Sequence, residues 1–301
     1  MIRVWKRAWL GLVACAGMTT ALSAQEFDDV EIETIKVSGN VYMLVGRGGN
    51  IGLSVGRDGA FLIDDQFAPL TEKISAAVKK VRDEPIRFVI NTHWHSDHTG
   101  GNENLGKGGS IIVAHENVRK RMSKKHFLKA FNREVPASPE AALPVITFTD
   151  SVTFYFNDDE VRVLHVEPAH TDGDSIVHFR KANVLHMGDT YFNGMYPFID
   201  ASSGGSIDGM ISAVDRALGL ANKDTQIIPG HGPLSTIAEL RAFRGMLKTV
   251  RGRMGDLMDK GKSREEIVAS KPTKDLDEKW GGGFMQPDAW VGIVYDGMAK
   301  K

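Results

Sequence analysis

Short apolar runs separated by turn residues predict that the chain begins with a succession of β-strands. Each run is three to five residues long, and pairs such as Gly39-Asn40 and Asp58-Gly59 lie between them. Runs of this kind, bounded by Gly, Asn and Asp, are typical of strands joined by tight turns. The predicted strands lie at 35–37, 41–45, 51–55 and 60–63.

Helical spacing, with apolar residues three or four positions apart, first appears at 71–82. Strand-like and helical segments then alternate along the chain, and the region from 263 onward adds a short helix, a glycine turn and an amphipathic segment. Further strands are predicted at 87–91, 110–114, 145–148, 152–156, 161–166, 175–179, 184–186 and 226–228, and helices at 116–131, 207–220 and 234–260, with a proline-containing loop at 135–144. Strands followed by helices in two similar halves indicate two packed sheets flanked by helices.

The first 24 residues resemble a signal peptide. Arg3, Lys6 and Arg7 precede a mostly apolar stretch, and small residues at 21–24 offer a cleavage site. The apolar stretch is too short to span a membrane comfortably. We therefore expect export to the periplasm or secretion, with no stable membrane insertion after cleavage.

The mature chain is predicted to be a single domain at 25–301, with a core at about 32–260 and a helical tail at about 261–301. The only cysteine, Cys15, lies in the leader. A less favoured alternative is a lipoprotein anchored through Cys15, because residues 12–15 resemble a lipoprotein cleavage box. Cleavage near residue 24 would leave no disulfide and no thiolate ligand.

Charge favours a small-molecule substrate over a nucleic-acid partner. The 301 residues are 42% hydrophobic and 25% charged, as is usual for globular proteins. Without the three basic residues of the leader, 34 basic residues remain against 38 acidic ones, a net charge of −4. Nothing resembles the basic stripe of a nucleic-acid-binding protein.

Residues 93–98 read His-Trp-His-Ser-Asp-His and place four potential metal ligands within six positions. Residues two apart in an extended backbone face the same side, so His93 and His95 can converge on one cation. Asp97 and His98 follow where the chain turns and can reach a second cation. Imidazole and carboxylate are ligands that zinc accepts.

Three later residues extend this cluster. His170, Asp189 and His231 each follow an apolar run and lie in a loop that contains glycine. Catalytic groups are commonly carried on loops above a rigid sheet. Each residue alone is a weak signal, whereas the order of all of them is specific.

In this order of residues the chain resembles the metallo-β-lactamase superfamily over about residues 32–260. The resemblance implies an α/β fold, a four-layer αβ/βα sandwich, with two Zn²⁺ ions at one edge of the sheets. It places one zinc on His93, His95 and His170, the second on Asp97, His98 and His231, and Asp189 between them as a bridge. Asp64 matches an early family Asp that supports the metal loop.

The resemblance also implies how the site would act. Two zinc ions can share a bridging hydroxide, which is a nucleophile at neutral pH. Asp97 is expected to orient the hydroxide and accept its proton, in addition to binding metal. Asn193 and Tyr191 are candidate substrate contacts, and the hairpin at 46–50 corresponds to the flap that covers substrate in zinc β-lactamases.

The other histidines have simpler interpretations. His115, just after a strand, is a candidate supporting residue for the metal site. His126 is expected on a helix surface, and His165, His178 and His186 are expected to be packed or hydrogen-bonded within strands.

The leading functional hypothesis is an exported, binuclear zinc hydrolase that cleaves a cyclic amide or a related acyl bond. β-Lactam hydrolysis, an antibiotic catabolic process, is its most concrete form. A thioesterase or lactonase is the alternative enzyme, because Asp189 occupies a position where many zinc β-lactamases have Cys, as in the glyoxalase II branch. A catalytically inactive metal- or ligand-binding protein is the alternative from another class.

Overall fold

Fifteen strands form two large mixed sheets and one small hairpin in the computed structural model, which describes residues 27–299. The predicted signal peptide at 1–24 and Cys15 lie outside the described residues. The strands are β1 Glu33–Ser38, β2 Val41–Val45, β3 Ile51–Gly56, β4 Gly59–Ile63, β5 Ile86–Asn91, β6 Ile111–His115, β7 His126–Leu128, β8 Arg133–Val135, β9 Ile146–Phe148, β10 Ser151–Phe156, β11 Asp159–His165, β12 Ser175–Phe179, β13 Val184–His186, β14 Gln226–Ile228 and β15 Ser235–Thr236.

The strand order divides the two large sheets into antiparallel and parallel parts. The first sheet has the order β1-β2-β3-β4-β5-β6-β9, and the second runs from β10 to β15 in sequence order. In the first sheet, β4, β5, β6 and β9 are paired in parallel. In the second sheet, β13 and β14 are parallel. Parallel pairing aligns the carboxyl ends of strands, so the loops that follow β5 and β6 leave from the same edge.

Helices cover the outer faces of the sheets. Two of them are preceded by capping boxes, at Ser263 and at Thr236. The helices are α1 Thr71–Val81, α2 Ser96–Thr99, α3 Asn102–Lys107, α4 Glu116–Met122, α5 Ile207–Leu220, α6 Ile237–Asp259, α7 Arg264–Ala269, α8 Asp277–Trp280 and α9 Pro287–Met298.

Alternation along the strands separates the apolar side chains into three layers of core. In β4, Phe61 and Ile63 pack between the two sheets, whereas Ala60 and Leu62 pack toward α1. Successive side chains of a strand point to opposite faces. A third cluster lies between the second sheet and α5, α6 and α9. The four-layer αβ/βα sandwich expected from the sequence is confirmed.

The helix predicted at 116–131 is wrong in its second half. The helix α4 ends at Met122, and the chain then forms the hairpin of β7 and β8. Its turn contains Asn132 in the left-handed conformation, with φ of 46°. His126, expected on a helix surface, is instead in β7 with its ring 5.1 Å from that of Trp94. Tertiary ring contacts therefore override helical propensity here.

The start of the long helix predicted at 234–260 also differs from the prediction, for a local reason. The helix predicted from 234 begins at Ile237, because Ser235 and Thr236 pair with β14 and Thr236 then caps α6 together with Glu239. The capping box Thr-x-x-Glu was readable in the sequence. The short helices α2 and α3 were not predicted.

Within residues 27–299, no helix is both long and apolar enough to cross a membrane.

Candidate metal centre

Seven candidate ligands from four loops converge at one edge of the sheets. The loop after β5 leads through His93 and His95 into α2, and the others follow β11, β13 and β14. Because the two sheets pack face to face, these loops meet although their residues span 139 positions. The groups with ligand atoms within 4.8 Å of one another are His93, His95 and His170, then His93, His98 and Asp189, and then Asp97, His98 and His231.

The first group is buried and closely spaced. The Nε2 of His170 lies 2.8 Å from the Nδ1 of His95. The rings of His93 and His170 have centroids 4.6 Å apart. Three imidazole nitrogens thus face a common point, and they belong to the residues that the family resemblance assigns to one metal.

The second group is more open to solvent. The Nε2 of His231 lies 3.4 Å from both the Nε2 of His98 and the Oδ2 of Asp97. The side chain of Asp97 is 28% exposed, while that of His98 is fully buried. The open side of this group is therefore the side from which water or substrate can approach.

Asp189 lies between the two groups with one carboxylate oxygen toward each. Its Oδ2 is 3.4 Å from the Nε2 of His170 and 3.8 Å from that of His93. Its Oδ1 is 3.0 Å from the Nε2 of His98 and 3.5 Å from that of His231. This is the geometry required of the predicted bridging ligand.

Hydrogen bonds to the far side of each ring determine which nitrogen faces the centre. The carboxylate of Asp64, predicted as a supporting residue, lies 2.8 Å from the Nδ1 of His98. It also accepts bonds from the amide and hydroxyl of Thr92. The carbonyl of Phe198 accepts the Nδ1–H of His170 at 2.7 Å. Such partners fix the tautomer and orientation of ligating histidines.

Burial and mutual charge divide the ring pKa values into two sets. Burial lowers the pKa of His170 to about 4 and that of His93 well below its usual range. For His231, burial acts against the charged form, but the carboxylates of Asp189 and Asp97 outweigh it and raise its pKa to about 9. The pKa of His98 is raised for the same reason. The cluster therefore holds positive charge next to its carboxylates.

The donor set fits divalent metal ions. The buried Nε2 of His93 has no hydrogen-bond partner, and the buried Oδ1 of Asp189 makes no hydrogen bond although the Nε2 of His98 lies 3.0 Å away. A buried polar atom without a partner is costly, and a metal ion would satisfy both atoms. Imidazole and carboxylate donors without thiolate are suited to Zn²⁺ and to other borderline first-row ions.

The segment at 46–50, expected to act as a flap, is tied to the metal loops. The amide of Gly49 donates to the carbonyl of Asp97, and that of Asn50 to the carbonyl of Gly230. The side-chain amide of Asn50 donates to the carbonyls of Pro229 and Gly232. Asn50 thereby joins this segment to the loop that carries His231.

Tyr191 and Asn193, which were predicted to contact substrate, are both held by contacts within the protein. Tyr191 is fully buried, its hydroxyl is 2.7 Å from that of Ser235, and its ring packs on Phe243. Its side chain therefore belongs to the core and does not face the site. Asn193 is buried and donates to the carbonyl of Pro233, beside His231.

His115 has contacts away from the candidate ligands. Its ring stacks on His165 with centroids 3.7 Å apart, and its Nδ1 accepts the amide of Asn117. Among the described residues its ring contacts are with His165 and Phe148. These contacts give no support to a role at the metals. His186 bonds the carbonyl of Asn50.

Three features of the site were not predicted from the sequence: Asp200, the hairpin of β7 and β8, and the role of Asn50. The Oδ2 of Asp200 lies 3.1 Å from the Nε2 of His95. No motif marks Asp200, whereas Asn132 between two short apolar alternations was a readable hairpin signal. The hairpin contributes Leu128, Phe131 and Arg133 to a cavity of about 260 Å³ that also contains Asp97, Asp189 and His231. We call this space the metal-site cavity.

Comparisons with known proteins agree with this architecture. Residues 37–231 match the family model of the metallo-beta-lactamase superfamily. The solved metallo-beta-lactamase from Pontibacter korlensis aligns with a TM-score of 0.59 at 21% identity, covering 72% of this chain and 99% of that one. The DIM-1 metallo-beta-lactamase aligns with a TM-score of 0.58 at 21% identity, covering 73% of this chain and 99% of that one.

Curated relatives are more similar in sequence. An Aquifex aeolicus protein is 29% identical over 187 residues, which are 62% of this chain and 85% of that protein. The hydroxyacylglutathione hydrolase of Gloeobacter violaceus is 27% identical over 141 residues, 44% of this chain and 49% of that enzyme. The chain thus spans only about half the length of that enzyme. Since the family model covers well over half of the chain, this protein belongs to the metallo-beta-lactamase superfamily, whose members are mostly metal-dependent hydrolases.

Proposed function

We propose that this protein is a dinuclear zinc hydrolase that cleaves a cyclic amide or related acyl bond of a small molecule. The observation that carries the proposal is the placement of Asp189, with one oxygen toward the group of His170 and the other toward the group of His98. Together with Asp189, five histidines and the carboxylate of Asp97 supply a set of seven ligands for two ions. A protein that only binds ligand would not need them all.

The residues of the chain have separable tasks in this reaction. Bound zinc supplies activation of water near neutral pH and polarises the acyl oxygen. Asp97 faces the metal-site cavity, where its carboxylate can orient a water molecule and take up its proton. Its pKa is lowered to about 2, which keeps it ionised as a hydrogen-bond acceptor but makes it a weak base, so orientation of the water is the task that this pKa favours. Burial acts against that charge, but the neighbouring His98 and His231 outweigh it. Asp64 and Asp200 keep the ring nitrogens of His98 and His95 in place.

Two substrate classes have support of different kinds. β-Lactams, and with them a role in antibiotic catabolism, are supported by the similarity of fold to metallo-beta-lactamases. Acyl thioesters or lactones are supported by the sequence similarity to hydroxyacylglutathione hydrolases. Asp189 in place of a cysteine also favours the second class.

A substrate panel tests the proposal. Zinc-loaded protein is assayed against a penicillin, a carbapenem, an acyl-homoserine lactone and an acyl thioester, before and after removal of metal by a chelator. We expect turnover of at least one class that is lost with the metal and recovered with zinc. Full turnover after metal removal verified by mass spectrometry would refute the mechanism.

The number of ions is tested separately. Asp189→Asn keeps the size of the side chain and removes its charge, so we expect bound zinc to fall from two equivalents toward one. A stoichiometry that stays at two would refute the bridging role of Asp189.

We also propose that the protein is exported, on the signal-like sequence of residues 1–24. Mass spectrometry of the mature N-terminus should find cleavage near residue 24. A lipid-modified N-terminus at Cys15 that disappears in Cys15→Ser would instead establish the lipoprotein alternative.

A further inference from the structure

An apolar annex opens beside the metal-site cavity. It has a volume of about 440 Å³, and its apolar lining includes Phe131, Ile199, Phe284, Met285 and Ile293. Phe131 and Phe284 also line the metal-site cavity. The two spaces therefore share two aromatic walls.

These aromatic walls are exposed and connect to the candidate ligands through ring contacts. Phe131 is 47% exposed and Phe284 is 55% exposed. The ring of Phe131 lies 4.8 Å from that of Phe198, which lies 5.6 Å from that of His170. The ring of Phe284 lies 6.3 Å from that of His231. Large apolar side chains exposed together at one place commonly mark a binding site.

Most of the charged groups that line the annex are paired within the chain. The guanidinium of Arg264 pairs with Asp296 at 3.0 Å. The carboxylate of Asp200 is engaged with His95 and with Ser202. Lys129 is exposed at the turn of the hairpin. The acidic groups and Arg264 therefore already have partners, and most of the remaining wall is apolar, with Lys129, Ser202 and Gln286 as its other polar residues.

The size of the annex indicates more than a methyl group. A dry cavity of about 150 Å³ is sufficient for benzene, so the annex admits a phenylalkyl or bicyclic group. Its walls come partly from Phe284, Met285 and Ile293, beyond residue 231, where the match to the family model ends. The annex is thus completed by the C-terminal region of this chain.

We propose that the annex binds a neutral apolar group of the substrate, aromatic by preference, while the acyl carbon lies in the metal-site cavity. The part concerning the acyl carbon rests on the proposed function. The annex itself depends only on the described walls. Its substrates would be acyl compounds with a phenylalkyl or larger apolar substituent.

Binding of an uncharged probe tests the annex without catalysis. Zinc-loaded protein is titrated with 2-naphthylmethanol and followed by ligand-observed NMR. Phe131→Ala and Phe284→Ala remove walls, and Ala289→Trp fills the annex from an exposed position of α9. We expect at least fivefold weaker binding in each of these variants.

Two matched variants serve as controls. Phe127→Ala removes a ring that is 51% exposed on the same hairpin but lines neither cavity. Ala76→Trp makes the same substitution on the exposed face of α1. Both should bind within twofold of the unmodified protein. Equal affinity in all five variants would overturn the proposal.

Hydrolysis then tests the position of the substrate. For a 4-phenylbutanoyl thioester, we expect about tenfold lower kcat/KM in Ala289→Trp, whose position lines the annex but not the metal-site cavity, with acetyl thioester changed less than twofold. Equal losses for both thioesters would overturn the placement of the apolar group. If the unmodified protein cleaves no acyl compound, the proposed function fails, and the probe titration still decides whether the annex binds apolar groups.

Discussion

Asp200 holds His95 in the orientation that points its Nδ1 toward the metal centre. The Oδ2 of Asp200 lies 3.1 Å from the Nε2 of His95, and the Nδ1 of that ring lies 2.8 Å from the Nε2 of His170. Asp200 is itself fixed, because its Oδ1 accepts the amides of Ser202 and Ser203. The carboxylate keeps the proton on Nε2, so the lone pair of Nδ1 is free for a metal.

Asp200→Asn should therefore weaken zinc binding. The amide keeps the size of the side chain but removes the charge, and supporting partners of this kind are typically worth 10- to 100-fold in metal affinity or activity. Competition with a chromophoric chelator measures the affinity. Asp158→Asn, an exposed carboxylate paired with Lys181, is the control and should bind zinc normally. Equal affinity in both variants would exclude a positioning role.

The candidate ligands were predictable because each follows a buried strand, and strand order brings strand ends together. Asp189 shows this, since its place after β13 follows from the apolar run before it. Asp200 was not predictable, because its contact with His95 joins positions 105 residues apart through an irregular loop. Tyr191 was misassigned, since proximity to Asp189 in sequence does not say which face a side chain takes.

The prediction of a helix in place of the β7–β8 hairpin was wrong for a different reason. Residues around Lys124 and Lys125 have good helical propensity, but Trp94 and Phe198 provide ring contacts for His126 and Phe131 that a continued helix would not make. Tertiary packing of this kind overrides propensity. The annex is hidden from sequence analysis because its walls come from distant segments.

Gly49 should not tolerate a side chain. A methyl group at Gly49 would overlap the imidazole of His98. We expect Gly49→Ala to displace that ring and lower the affinity for metal at the group of His98 by about tenfold or more. Zinc titration and calorimetric unfolding are the measurements.

Gly219→Ala is the matched control for this substitution. Gly219 lies in α5, and a methyl group there meets nothing within 4 Å. Alanine stabilises a helix interior by about 0.5–1 kcal/mol relative to glycine. We expect normal zinc binding and slightly higher stability. Normal zinc binding by Gly49→Ala as well would contradict the close packing on His98.

The stacked pair of His115 and His165 should make the fold sensitive to acid. Burial, and then the adjacent imidazole of His165, lowers the pKa of His115 to about 4, whereas an unfolded histidine has a pKa of about 6.5. The folded state therefore takes up this proton less readily, and stability falls as the pH drops from about 6.5 to 4.

His115→Asn should reduce this loss of folding stability at low pH. Asparagine cannot be protonated here, and it can still accept the amide of Asn117 at the start of α4. Thermal midpoints of both proteins, measured from pH 7.5 to 4, should run parallel above pH 6.5 and diverge below it. Parallel curves over the whole range would show that His115 does not contribute.

Asn50 connects the segment at 46–50 to the His231 loop and to β13 through four hydrogen bonds. Its side-chain amide donates to the carbonyls of Pro229 and Gly232 at 3.0 and 2.8 Å, and its carbonyl bonds the ring of His186. In Asn50→Asp a carboxylate would face both carbonyls. An unsatisfied buried group costs about 1–3 kcal/mol, so the free energy of unfolding should fall by at least this amount.

The same substitution should also affect the metal site. Because Gly230 and Gly232 flank His231, the zinc site that contains His231 should weaken, while the site of His93, His95 and His170 stays intact. Asn183→Asp, at a half-buried residue paired with Asn222 and remote from the candidate ligands, should change neither property. Lower stability with both zinc affinities unchanged would limit Asn50 to a role in folding and separate it from positioning of the metal ligand.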